Sequence, residues 1–328
     1  VTALLALVTV LAWGAWIPAA QVIPGVPQRS RTFYATVGNV VLAAGALLAG
    51  GGHLSLGWRG FWLPLAGGLV WTGGNYSAFR ASELIGLARA AGSWTPLNII
   101  VAFVWGALLF GELDAFSAAR FAVLGAALAF VLVGVFFIVR SQEARPAVAS
   151  GPRTPSRQPP PPTPSRQQAR PGPAAPAVGV ATAAAGVHVR GLLWAGSAGV
   201  LWGSYFVPAQ WAKVPSQVSN FPLALGIVIA GLALALPAGE PVRLGPRAMA
   251  VQVAAGVLFG IGNIALLGLV KRVGTGVGFT IAQLSLLVNA SIGIWVFKVP
   301  KPGSRAARTV LVGILLAGAG GTVIGAMK

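Results

Sequence analysis

Leu11-Ala12-Trp13-Gly14-Ala15-Trp16 returns later in the chain as Val200-Leu201-Trp202-Gly203-Ser204-Tyr205. Trp71-Thr72-Gly73-Gly74-Asn75 returns in the same way as Phe259-Gly260-Ile261-Gly262-Asn263. Trp13 and Trp202 lie 189 positions apart and Asn75 and Asn263 lie 188 apart, so two halves run in common register. A duplicated apolar unit is how many secondary transporters are built, with the substrate site where the repeats meet. The repetition therefore points to transport.

Composition supports a membrane protein. Of 328 residues, 56% are hydrophobic and only 9% charged, with a mean hydropathy of +0.79. A soluble domain carries roughly 25% charged residues, because its surface faces water. This chain has too few charges to cover a wet surface, so most of its solvent is lipid. The formal net charge of +18 does not imply nucleic acid, which is bound by Lys and Arg clustered on one folded face. Here the basic residues sit between apolar runs and in a spacer, as they do when they orient membrane helices. Without cysteine, and with His53 and His188 expected in loops, no disulfide framework or Cys/His metal site is expected. Val1 leads straight into an apolar run without the basic stretch of a signal peptide. Since that run has an internal copy at Leu192–Ala209, it is read as a retained helix.

A membrane span needs roughly 20 apolar residues. Such stretches occur near Thr2–Val22, Thr32–Leu48, Phe61–Phe79, Leu84–Phe110 and Phe116–Val139. A second set occurs near Arg190–Gln210, Phe221–Leu236, Ala248–Val270, Gly274–Phe297 and Ala306–Ala326. The expected fold is all-α and polytopic, with ten transmembrane helices as two inverted five-helix repeats. Residues 1–140 and 188–328 form the repeats, joined by a linker over 141–187. Five spans per repeat is an odd number, so the second unit enters the membrane upside down. Of the 23 Lys and Arg residues, 17 then fall on one side, among them Arg29, Arg31, Arg80, Arg89, Lys298 and Arg305. By the excess of positive charge that side is cytoplasmic. Both termini are then outside, in the plasma membrane of the cell. The linker contains Pro159-Pro160-Pro161-Pro162 and few branched or aromatic residues, so it is expected to be a disordered cytoplasmic tether. Attraction of Arg153, Arg157, Arg166 and Arg170 to anionic lipid is the sharper alternative.

The five acidic residues, Glu83, Glu112, Asp114, Glu143 and Glu240, all fall at span ends or in loops. Intramembrane charges mark ion and proton pathways, and their absence from span centres suits an uncharged solute. Candidate contacts are Asn75, Asn98, Asn263, Gln283 and Asn289, with Trp13, Trp71, Trp94, Trp202 and Tyr205. An amide offers two donors and one carbonyl acceptor, enough to hold two adjacent hydroxyls. A Trp face supplies apolar area for the C–H face of a sugar or for a planar base. For Asn75 and Asn263, which follow small residues, bonding between helices is the favoured reading. Asn98 lies 12 residues after Gly86 and Gln283 lies 9 after the matching Gly274. The difference is about one helical turn, so the two amides share similar faces of equivalent helices. Pro96 frees a carbonyl near Gly92, a break tolerated where it lines a cavity. No catalytic constellation is present, so no enzyme is expected.

The stretch Gly67–Glu112 resembles the glucose/ribose porter family, a sugar uptake branch of the drug/metabolite transporter superfamily. The likeness rests on Gly67-Gly68-Leu69-Val70-Trp71-Thr72-Gly73-Gly74-Asn75, then Ile85-Gly86-Leu87-Ala88-Arg89, Asn98 and Gly111-Glu112. The second half matches through Gly262-Asn263, Gly274 and Thr280-Ile281-Ala282-Gln283. The resemblance implies ten helices, uptake of a monosaccharide such as glucose or ribose, and no cofactor. It also implies proton symport. Lys298-Val299-Pro300-Lys301 stands where members often keep Gly-Glu, so Glu83 becomes the coupling candidate. The expected partners are a small neutral substrate, taken to be a monosaccharide, and membrane lipid. Carriage of a ureide, nucleobase or nucleotide-sugar through the same pathway is the runner-up, and a non-transporting membrane scaffold the third reading.

Overall fold

The computed structural model describes residues 1–50, 57–110, 116–141, 178–213, 216–236, 243–273 and 281–327. No strand occurs among the described residues. The first half contributes α1 (Thr2–Gln21), α2 (Gln28–Ala49), α3 (Trp58–Ile85), α4 (Leu87–Phe110) and α5 (Ala118–Arg140). The second contributes α6 (Val178–Ser204), the short α7 (Val207–Trp211), α8 (Ser216–Ala235), α9 (Pro246–Val273), α10 (Ser285–Ser291) and α11 (Arg305–Ala326). α10 runs on into a π-helical segment, Ile292–Val296, within one apolar helix, Ile281–Val296. Six helices (α1, α2, α4, α5, α9 and α11) are long and apolar enough to cross a bilayer. The chain is therefore a helical integral membrane protein.

Several boundaries differ from the sequence reading. α6 begins at Val178, inside the stretch assigned to the linker, and carries His188 within the helix rather than in a loop. It ends at Ser204 instead of running to Gln210. Pro208, in the first turn of α7, cannot donate to the carbonyl of Ser204, so the helix breaks there. α3 runs on to Ile85, which brings Glu83 into its last turn. Gly86 then turns the chain sharply into α4 with φ +81. A side chain is excluded there twice, by that backbone conformation and by Val299 Cγ1, 2.6 Å from where a Cβ would sit. The proline tract, the four linker arginines, Gly274–Thr280, His53, Glu112, Asp114, Glu143 and Glu240 lie outside the described residues.

Helix pairing follows the repeat. α3 packs on α6 and α8, α9 on α1 and α2, α4 on α6, α10 on α1, and α5 on α11. Let α6, α8, α9, α10 and α11 replace α1 to α5. The pairings then map onto one another: α3–α6 becomes α9–α1, α3–α8 becomes α9–α2, α4–α6 becomes α10–α1, and α5–α11 maps onto itself. Small residues set these approaches. A methyl on Gly68 would overlap the Leu223 carbonyl and one on Gly226 the Leu65 carbonyl, across α3 and α8. Gly38 and Gly256 meet the Val253 and Ala35 carbonyls in the same way across α2 and α9.

The tightest packing gathers at one end, where α3, α5 and α10 finish and α4 and α11 begin. Phe79, Ile85, Ala88, Ala91, Ile138, Ala290, Ile294 and Val310 are all buried there in one cluster. Two buried arginines close helix ends at that level. Arg31 donates to the Ala20 carbonyl and, at 3.4 Å, to those of Ile23 and Val26. Arg89 Nε donates to the Ser141 carbonyl at 2.9 Å, just past α5. A cation at a helix C-terminus meets the negative end of its dipole, and these carbonyls have no partner within their own helices.

Candidate functional site

A small cavity, partly open to solvent, lies among α1, α3, α4, α6, α9 and α10. α1 supplies Trp13, Trp16 and Ile17; α3 supplies Trp71; α4 supplies Trp94, Thr95 and Asn98. From the second half come Trp202, Tyr205, Phe259, Gln283, Ser285 and Asn289. No acidic or basic side chain is among these lining residues.

The walls are aromatic because each half turns the same face inward. Trp94, Thr95 and Asn98 recur at helical spacing along one face of α4. Trp71 and Phe259, 188 positions apart, meet at 4.4 Å between ring centroids. Trp16 packs on Phe259 at 5.1 Å and Trp71 at 5.8 Å, and Trp94 meets Trp202 edge-on at 5.6 Å. Such contacts hold rings beyond what area burial provides, so the walls are rigid platforms.

The polar groups fall into two classes. Trp13 Nε1 donates to Asn263 Oδ1 at 3.2 Å, and Trp202 Nε1 donates to the Trp71 carbonyl at 3.2 Å. Both indoles are thereby fixed by the opposite half. Asn289 Nδ2 donates to the Ser285 carbonyl at 3.3 Å, while its Oδ1 is buried and unpartnered. Asn98 and Gln283 line the cavity and make no side-chain hydrogen bond within the described residues. Their donors and acceptors are free for a ligand.

Of the sequence-predicted residues, Asn98, Gln283, Trp13, Trp71, Trp202 and Tyr205 come together around this cavity, with Trp94 and Asn289 beside them. Asn75 and Asn263 do not line it. Asn75 is fully buried, and Asn263 serves as the acceptor for Trp13. Glu83 stands apart, paired with Arg80 at 2.9 Å and 48% exposed. No group of three or more metal-ligating side chains occurs among the described residues. Trp16, Ile17, Thr95, Phe259 and Ser285 were missed as lining residues. The repeat offset carried a signal for three of them, since it pairs Trp16 with Tyr205, Phe259 with Trp71, and Thr95 with Gln283.

Residues 4–154 and 181–327 match the model of a family described as sugar transport protein. The Listeria monocytogenes protein named "Putative sugar uptake protein lmo0176" is 24% identical over 99% of this chain and 98% of its own. The glucose uptake protein GlcU of Bacillus subtilis is 23% identical, over 99% of this chain and 98% of its own. A protein solved by crystallography superposes with a TM-score of 0.57 at 19% identity, over 99% of this chain and 97% of that one, a likeness of fold.

Proposed function

The chain belongs to the sugar transport protein family, and we propose that it takes up a neutral monosaccharide such as glucose or ribose by alternating access. Membership makes it a membrane sugar transporter and not an enzyme. The observation that carries the finer reading is the uncharged, aromatic-walled cavity with two unspent amides from opposite halves. Asn98 and Gln283 bridge neighbouring hydroxyls, and the Trp rings cover the C–H face.

Alternating access rests on two inverted five-helix repeats, and the reciprocal pairing of the helices supports that arrangement. The ten spans are α1 to α5, α6, α8, α9, the helix containing α10, and α11. Packing is dense beyond Trp16 and loosens toward Asn98–Val101 and Tyr205–Gln210, which are half-buried. Arg29, Arg31, Arg80 and Arg89 lie at the dense end, so positive charge marks it as cytoplasmic. The cavity then faces outward in this conformation.

Uptake of radiolabelled glucose, ribose and rhamnose into proteoliposomes tests the substrate. Saturable uptake of one sugar, weakened in Asn98→Ala/Gln283→Ala, is expected. Wild-type rates in that double variant would remove the two amides from the site, and stronger competition by allantoin or uracil would move the substrate to a ureide or nucleobase. For proton coupling Glu83 is the residue to test, as the only acidic side chain among the described residues. Unchanged pH-gradient dependence in Glu83→Gln would exclude it.

A further inference from the structure

The two halves make the same tryptophan–asparagine pair available, but only one pair is closed. Trp13 donates to Asn263 at 3.2 Å. The equivalent Trp202 donates instead to the Trp71 carbonyl. Its would-be partner, Asn75, is fully buried with both Nδ2 and Oδ1 unpartnered. The Trp202 ring already lies beside it. Its Cδ1 and Nε1 are 2.6 and 2.8 Å from where a Cβ on Gly74 would sit, and Trp13 lies against Gly262 in the mirror arrangement. Trp71 and Asn75 are one turn apart on the same face of α3. In a helix the Trp71 carbonyl points along the axis to the backbone N–H of Asn75, so a short shift of the indole N–H exchanges that carbonyl for Asn75 Oδ1.

An unpaired buried amide is costly, and costly polar groups inside membrane helices persist where they have a use. We propose that Asn75 and Asn263 are paired positioning residues that alternate. Trp13–Asn263 holds the conformation described here, and Trp202–Asn75 holds the one open at the opposite end. The inference rests on the alternating-access reading, in which two inverted repeats exchange their conformations between states. It gives the amides a role in setting the two cavity tryptophans, without contact to the sugar. It also accounts for Gly74 and Gly262, since any side chain there would block the indole from its asparagine.

The absence of cysteine makes the test direct. Ala91 is buried at the closed end, one turn from Thr95 on the cavity face of α4. A single cysteine there (Ala91→Cys), labelled by a maleimide in purified protein without sugar, reports opening of that end. Adding Asn75→Ala should lower the labelling rate by about threefold, the size of an average interhelical hydrogen bond in a membrane. Adding Asn263→Ala should raise it by a similar factor. In a Trp202→Phe background the effect of Asn75→Ala should vanish, because Asn75 then has no donor in either state. Asn75→Ser gives the same reading if the alanine variant does not fold. Shifts in the same direction for the two asparagines, or an Asn75 effect that survives Trp202→Phe, would overturn the proposal. If the cysteine at position 91 stays unlabelled in every variant and with sugar while transport continues, alternating access itself fails.

Discussion

Trp16 and Tyr205 occupy the same place in the two repeats, 189 residues apart, and the molecule treats them differently. Trp16 is 4% exposed and packs against Trp71, Phe79, Trp202 and Phe259. Tyr205 is half-buried at a helix break and meets the Phe206 ring edge-on. One side of the cavity therefore ends in a sealed floor, the other in a looser rim. Two stretches of similar sequence hold dissimilar local structure, an asymmetry that the proposed alternating access would produce.

The sharpest way to break this contrast is to truncate both aromatics. Trp16→Ala removes a buried ring that touches both floor and cavity, and should cost about 3–5 kcal/mol of stability. Tyr205→Ala should cost roughly 1 kcal/mol, near the average for a point substitution, and should appear mainly as weaker sugar binding. Thermal unfolding midpoints of the purified variants check this. Equal losses would mean that floor and rim are alike.

A second test probes the floor through its glycines. A Cβ on Gly293 would sit 2.8 Å from the Ala88 backbone nitrogen and 3.0 Å from the Ala88 Cβ. Backbone cannot yield as a flexible side chain does, so Gly293→Val should cost about 1–3 kcal/mol and speed labelling of a cysteine at position 91. Gly45 has no atom within 4 Å of its notional Cβ. There, Gly45→Ala should be neutral or stabilising by roughly 0.5–1 kcal/mol, from helix propensity alone. A destabilising Gly45→Ala beside a silent Gly293→Val would reverse the assignment of the packed end.

These contrasts also mark what could be read from the residues. The recurring apolar pattern and its small-residue punctuation were legible in the sequence, and the reciprocal pairing of the helices accords with them. The offset that aligns Gly74 with Gly262 also predicts that each lies against the other half's tryptophan. Asn98 and Gln283 were singled out because amides in an apolar span stand out, and both line the cavity. Trp16 was not singled out, since one tryptophan on an apolar helix looks the same whether it lines a cavity or packs a core. The break near Tyr205 had its signal in Pro208, but the largely apolar run on to Trp211 carried the expected span past it. That Asn75 lacks the partner Asn263 has was not legible, because the repeat makes the two asparagines equivalent.

The amides supply a smaller effect that sharpens the middle of the comparison. If Asn98 and Gln283 hold the sugar as proposed, Asn98→Ala and Gln283→Ala each remove one hydrogen bond to ligand, about 0.5–1.5 kcal/mol. Half-saturating sugar concentrations should rise by roughly 3–10-fold while the unfolding midpoint stays at the parent value. A large loss of stability in either variant would mean that the amide bonds protein rather than sugar.

The smallest effect is expected at Glu83, beyond the floor. Its pairing with Arg80 spans one helical turn, with side chains 33% (Arg80) and 48% (Glu83) exposed. Exposed ion pairs contribute about 0–1 kcal/mol, because water screens them and two long side chains must be held still. Glu83→Gln should therefore shift stability by less than about 1 kcal/mol, and less again at high salt. Sugar exchange without a proton gradient needs only the cavity and the two gates, so its rate should be unchanged. Gradient-driven uptake is the separate readout. A Gln variant that exchanges sugar normally but no longer responds to a pH gradient would make Glu83 the point where protons enter the cycle. A variant that loses exchange as well would make the residue a structural support of the floor, joining it to Arg31 and Arg89 rather than to transport energetics.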